Sequence, residues 1–234
     1  TTTQAPTTQA PPPTTTTTTT VYTPPPTTTT TAKTTSTTTP QTTTSTTVRA
    51  PSLTFSDVTS STRYAAEIYL MADLGVISGY GNGQFGPTAK VTRQQFAKMI
   101  VLALGYEVLP LTVSTFKDVA FLPNSADPLY PVGYIATCAA KGITVGKTAD
   151  RFDPYGQITR AQLITMVARA AELPDPPASY TPPFQNFSDA HYPWARKAAY
   201  AGLVNGLAGY GPNYDFWAAA TRGEVCLLLA NLVR

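Results

Sequence analysis

The stretch "VTRQQFAKMI" (residues 91–100) decides how this chain is read. Thr92 followed three residues later by Gln95 is a capping box, the reciprocal side-chain exchange that starts a helix. Beyond it, Phe96, Met99, Ile100 and Ala103 keep the i, i+3, i+4, i+7 spacing of a helix with one buried face. Arg93 fits badly. It takes the first helical position, where unpaired amides and aligned peptide dipoles make a cation unfavourable by about 0.3–1 kcal/mol. The same arrangement returns in "ITRAQL" (158–163) and "ATRGEV" (220–225), with Arg160 and Arg222 in that register. Their helices carry matching stripes, Leu163, Met166, Val167 and Ala170, then Val225, Leu228, Leu229 and Leu232. One such Arg is unremarkable, but three in register require a shared cause.

Working outward, each Thr-Arg helix closes a longer unit. "FSDV" (55–58), "FKDV" (116–119) and "FSDA" (187–190) open the three copies, so that Asp57, Asp118 and Asp189 correspond. A first helix follows and stops at Gly75, Gly142 or Gly202, the residue type that takes the left-handed stop position most readily. Then come the turns "GVISG" (75–79), "GITVG" (142–146) and "GLVNG" (202–206), and a loop leads into the Thr-Arg start. "GYEVLPLTVST" (105–115) and "LPDPPASYTPPFQN" (173–186) read as surface linkers. The expected fold is all-α: three helix-loop-helix repeats at 51–110, 111–177 and 178–234. Their second helices bundle along the stripes, around a pseudo-threefold axis.

Residues 1–50 are different material. More than half are Thr, with Pro runs and almost no large apolar side chains, so they cannot bury a core. They read as a disordered, extended linker whose hydroxyl density suits O-glycosylation. Without an initiator Met, a signal peptide or an apolar run of membrane-spanning length, the chain reads as part of something longer, with a larger polypeptide N-terminal to residue 1. Lys33 and Arg49 account for two of the three net positive charges. The repeats are thus nearly neutral, which argues against nucleic acid as a partner and against general attraction to an acidic membrane.

Chemistry-bearing residues are few. Cys138 and Cys226 lie in apolar, helical-looking stretches and read as two buried thiols in preference to a disulfide. No metal spacing is present, and "YGNGQFGP" (80–87) has too few carboxylates for a calcium loop. The single histidine, His191, reads as part of a turn with no nucleophile motif beside it. No catalytic residue, metal or cofactor is expected.

The ordered set, Phe-x-Asp, a helix ending in Gly-apolar-x-x-Gly, an aromatic loop and a Thr-Arg helix start, resembles three tandem S-layer homology repeats. The resemblance covers roughly residues 53–234. It implies a pseudo-trimeric helical domain that attaches exported proteins non-covalently to bacterial secondary cell-wall polysaccharide, commonly pyruvylated, at the cell surface. It also implies pockets between neighbouring repeats. Carried onto this sequence, those pockets draw on Arg93, Arg160 and Arg222, on Gly79, Gly146 and Gly206 for close backbone approach, and on the aromatics Tyr64, Tyr130 and Trp194. A ketal carboxylate beside an Arg and free helix-start amides would explain the misplaced cation.

Plainer readings stand beside these. Each Arg could pair with a repeat-start Asp, and those Asp residues read as helix caps or turn formers. Trp194 suits either a sugar face or the core, while Trp217 suits packing against the helix that follows it. The family's usual Glu at the third helical position is kept only as Glu224, with Gln95 and Gln162 in the other copies. The second copy has Lys147 and Thr148 where the first has Tyr80 and Gly81, which points to a differently lined pocket. Counting Trp194 as the counterpart of Tyr64 makes the third copy's first helix about one turn shorter. Two other functions fit the same features: a self-assembling surface-layer protein, or the C-terminal anchor of a wall-bound glycoside hydrolase.

Overall fold

The computed structural model describes residues 53–234. The reading of residues 1–50 as a linker falls outside that range. Six helices follow in chain order: α1 (Ala65–Asp73), α2 (Arg93–Ala103), α3 (Val132–Ala140), α4 (Arg160–Ala170), α5 (Tyr192–Tyr200) and α6 (Arg222–Val233). No strand longer than an isolated bridge is formed among the described residues.

Local chemistry sets the boundaries. Thr92, Thr159 and Thr221 each form a complete capping box, with Gln95, Gln162 and Glu224 respectively. Gly75, Gly142 and Gly202 follow the first helices with positive φ of 71°, 68° and 77°, a conformation that a Cβ would penalise. The stripes face inward as their spacing requires: Phe96, Ile100, Val167, Val225, Leu228 and Leu229 are fully buried. The first helices are nine residues long in all three copies. The shorter third helix expected from Trp194 is therefore wrong. Tyr64, Pro131 and His191 hold the same position before α1, α3 and α5, each eleven residues ahead of its stop glycine. His191, and not Trp194, is the counterpart of Tyr64.

The repeats exchange partners. A first helix packs on the second helix of the preceding repeat: α3 on α2, α5 on α4 and, closing the circle, α1 on α6. The second helices meet in the middle, with α6 against both α2 and α4. A ring of backbone hydrogen bonds ties the axis together. Val91 N donates to Ala220 O (3.2 Å), Ala220 N to Ile158 O (2.9 Å), and Ile158 N to Val91 O (2.9 Å). Each repeat thus gives one bond and takes one, and all three residues are fully buried. No single repeat can make this arrangement, so its stability is shared by the three.

Candidate functional site

The ring explains part of the helix-start anomaly. Expectation placed free amides beside each Arg, but those amides are taken. Arg93 N and Gln94 N donate to Gly156 O and Pro154 O of the second repeat. Arg160 N and Ala161 N donate to Ala218 O and Phe216 O of the third, while Arg222 N and Gly223 N donate to Ala89 O and Pro87 O of the first. The amide at the third helical position goes to the capping Thr in each case. Each helix start therefore meets a loop of carbonyl oxygens from the next repeat, and that partial negative charge is what the dipole and the Arg both face.

The Arg side chains follow the same cyclic order. Arg93 Nε donates to Phe152 O at 2.7 Å, with the guanidinium 4.6 Å from the Phe152 ring. Arg222 Nε donates to Phe85 O at 2.8 Å, and its guanidinium lies 4.5 Å from the Phe85 ring and 4.9 Å from that of Tyr80. Both side chains are buried. Burial pulls the Arg93 pKa down, partly opposed by the charges of Asp153 and Asp118. Arg160 behaves differently. Its Nε and Nη2 both reach Glu224 Oε1, at 2.9 and 2.6 Å, and Nη1 donates to Asp215 O. Burial is the largest single influence and opposes its charge, but the Glu224 bond, Tyr214 and the charges of Glu224 and Asp215 together outweigh it and its pKa rises.

None of the three pairs with a repeat-start Asp, so that reading is corrected. Asp57 accepts the amides of Phe85 and Gly86, both at 2.8 Å, and Asp118 accepts those of Phe152 and Asp153, also at 2.8 Å. These are neither helix caps nor local turns. Each carboxylate fixes, across 28 to 35 residues, the loop whose Phe carbonyl receives an Arg. Burial would raise both carboxyl pKa values, yet the backbone amides win and hold them below the ordinary value. Asp189 departs from the pattern, with Oδ1 accepting from Asn186 Nδ2.

Three clefts lie at the three repeat junctions. The first, about 300 Å³, brings together Gly79, Gln95, Lys98, Asp127, Tyr130 and, from the third repeat, Arg222. The second, about 410 Å³, has the corresponding walls: Gly146, Lys147, Gln162, Thr165, Arg169 and His191, with Arg93 from the first repeat. The third, about 270 Å³, is lined by Tyr64, Pro87, Arg160, Thr221 and Glu224. Here the Tyr64 hydroxyl accepts Ala208 N at 2.8 Å and Glu224 engages Arg160, so this Thr-Arg cation already has its carboxylate within the chain, while Arg63 lines the same cleft outside any ion pair among the described residues.

The Gln residues mark the contrast. Gln95 Oε1 and Gln162 Oε1 accept the Thr92 and Thr159 amides, which leaves Nε2, a donor, where Glu224 presents an acceptor. Among the described residues, neither Arg93 nor Arg222 takes part in an ion pair. The first two clefts therefore gather donors without a matching carboxylate at the Arg.

The remaining candidates separate. Gly79 and Gly146 line the first two clefts, but a Cβ at either would lie 2.6 Å from Phe55 or 2.5 Å from Phe116, so their own loops already demand glycine. Gly206 also has positive φ, with only ordinary contact to Leu227. Trp194 is half-buried between the Arg169 guanidinium (5.1 Å) and Lys197 Nζ (5.0 Å), facing a depression beside the second cleft. It is neither core nor a wall of the cleft itself. Trp217 is 54% exposed and meets Phe187 and His191 edge-on, so it does not bury itself against α6 as expected. Both cysteines are free and buried, and burial pushes each thiol up to about 12. His191 and Arg169 were missed as cleft residues. Counting eleven residues back from Gly202 would have found the former.

A family model of the S-layer homology domain matches residues 54–97 and 124–164. The chain is 29% identical over 184 residues to a cell surface protein of Thermoanaerobacter kivui, covering 77% of this chain and 21% of that protein. It is 30% identical over 164 residues to the middle cell wall protein of Brevibacillus brevis, covering 69% and 14%. An uncharacterized cell wall amidase of Bacillus anthracis is 27% identical over 183 residues, covering 78% and 32%. The chain thus spans a third or less of the length of these relatives. With six helices in three matching pairs and a capped Thr-Arg start in each, the chain carries S-layer homology repeats, two of which the family model matches.

Proposed function

We propose that this chain is a non-covalent cell-wall anchor that holds an attached polypeptide at the bacterial surface. It does so by binding an anionic, pyruvylated secondary wall polysaccharide in the clefts between repeats. The observation that carries this reading is the pair of clefts in which Arg222 and Arg93 stand beside a Gln amide with no ion-pair partner from the chain. A ketal carboxylate is a planar acceptor of the right charge for a guanidinium flanked by a further N–H donor. Gly79, Gly146 and Tyr130 shape the walls, and the buried rings of Phe152 and Phe85 hold the Arg93 and Arg222 guanidinium groups from beneath. The third cleft, with Arg160 paired to Glu224 and Tyr64 bonded to Ala208, contributes structure, and Gly206 lies outside it. The family and the cell-surface and cell-wall names of the relatives support the location.

Cosedimentation of the chain with purified wall polymer tests this. The chain should pellet with native polymer and stay in solution once the pyruvate groups are removed by mild acid. Equal pelleting with both polymers would refute a ketal-directed site.

A further inference from the structure

The first two clefts share walls but not charge. In the first, Lys98 is paired with Asp127, which also accepts from the Tyr134 hydroxyl at 2.8 Å, and only Arg222 faces the space without a carboxylate. In the second, Arg93, Lys147 and Arg169 line the space and no carboxylate does. Lys147 is held from behind by Asp153 at 2.6 Å. Arg169 is specific to this cleft, since Leu102 and Asn231 stand at the same place in α2 and α6. Burial pulls its pKa down, and among the described residues it takes part in no ion pair, although Glu172 shares with it the depression beside the cleft.

His191 is the other difference. Its Nδ1 lies 2.8 Å from Thr165 Oγ1, and its ring meets the indole of Trp217 edge-on. The Thr hydroxyl can donate to a neutral imidazole or accept from a protonated one, so both states keep that bond. Every charged group facing the ring from a neighbouring element is a cation: Arg169 on α4, Arg93 on α2 and Lys147 on the preceding turn. Of the nearby carboxylates, Asp153 is ion-paired with Lys147, while Asp189, two residues before the ring on its own segment, accepts from the neutral Asn186 amide and keeps its charge. Burial, then Arg169 and Arg93, hold the imidazole below its ordinary pKa, so the empty cleft keeps it neutral at pH 7. An anion seated among these cations cancels the repulsion and favours the protonated ring.

We propose that Arg169 and His191 make the cleft between the second and third repeats the dominant anion-binding cleft, and that His191 takes up a proton when the anion is seated. This rests on the anchoring reading and assigns its strength and acid dependence to one junction. Binding by linkage then tightens as the pH falls, while the ligand's own carboxyl stays ionised.

His191 is the only histidine of the chain, so its ring signals in an NMR spectrum need no assignment. The probe is a methyl hexoside carrying a pyruvate ketal across O4 and O6, titrated into the full chain at pH 5.0 and 7.5. The amides of Gly79 and Gly146 report the first and second clefts respectively. The expected result is tighter filling of the second cleft, with about tenfold higher affinity at pH 5.0 and a His191 pKa raised by about one unit at saturation. His191→Phe, which keeps a ring beside Trp217, should level the pH dependence, and Arg169→Leu should weaken the second cleft about fivefold without altering the first. An unmoved His191 titration, an acid gain that survives His191→Phe, or filling of the first cleft alone would overturn the inference and leave the anchoring reading standing. Binding in neither cleft at either pH would sink both.

Discussion

The junction between the second and third repeats and the junction that closes the third repeat on the first are made from one motif, yet their polar groups are disposed in opposite ways. At the closing junction, Glu224 serves two masters: Oε2 completes the capping box with the Thr221 amide, and Oε1 binds Arg160. Tyr64 fills the adjacent space and accepts the Ala208 amide. At the open junction, Gln162 completes the same box and leaves Arg93 without a carboxylate, while His191 stands where Tyr64 stood. Capping is indifferent to Glu or Gln. The choice instead decides whether the neighbouring Arg is paired with a carboxylate inside the protein or left without one.

The largest test breaks the closed side. Glu224→Ala removes the cap and strands Arg160, and should cost about 3 kcal/mol of unfolding free energy in urea, as expected for one half of a mostly buried pair. Gln95→Ala, which loses only the cap, should cost about 1 kcal/mol. Similar losses for the two variants would mean that the Arg160–Glu224 pair adds nothing.

The next test closes the open side. Gln162→Glu keeps the cap and, in the register that brings Glu224 to Arg160, hands Arg93 an internal carboxylate. The melting temperature should hold or rise, while the affinity for wall polymer in cosedimentation falls about tenfold, or about 1.4 kcal/mol. Unchanged binding would show that Arg93 is not the contact.

The smallest effect concerns acid. Because the folded pKa of His191 lies below its ordinary 6.5, the native state binds fewer protons than the unfolded chain in that window. Stability from this source is complete above the unfolded value and is lost as the pH drops through it. Solvent screening at a half-open position keeps the loss under about 1 kcal/mol. Without ligand, His191→Phe should be relatively less destabilised than the parent chain between pH 7.5 and 5.0, measured by urea denaturation. A parent chain that gains stability on acidification relative to the variant would contradict this sign.

What the sequence revealed follows from the range of the interactions. Caps, helix stops and stripes depend on residues three to eleven apart, so the six helices and the buried faces of α2, α4 and α6 are legible in "VTRQQFAKMI" and its two counterparts. The exchange of helix partners is not, because both a repeat's own first helix and its neighbour's would satisfy the same stripe. The amides at Arg93 and Gln94 find carbonyls some sixty residues away, and those at Arg222 and Gly223 find theirs well over a hundred residues away. No local pattern announces that. The candidate site suffered from a different error: following the aromatic ring led to Trp194, whereas following the distance to Gly202 leads to His191.

The closure of α1 on α6 also has a mechanical meaning. Tension applied at residue 53 first meets buried Phe55 and Asp57, which holds the Phe85 loop, and only then α1, which rests on α6 through the packing of Ile68 and Met71, the Tyr64 hydroxyl bond and the Glu67–Arg234 contact. The Arg160–Glu224 pair braces the same seam. A pull from that side therefore also loads the first cleft, since Gly79 follows α1 and Arg222 opens α6, while the cleft of Arg93, Arg169 and His191 draws no residue from either helix. The seam between α1 and α6 and the cleft lined by Arg93, Arg169 and His191 are thus built from different helices.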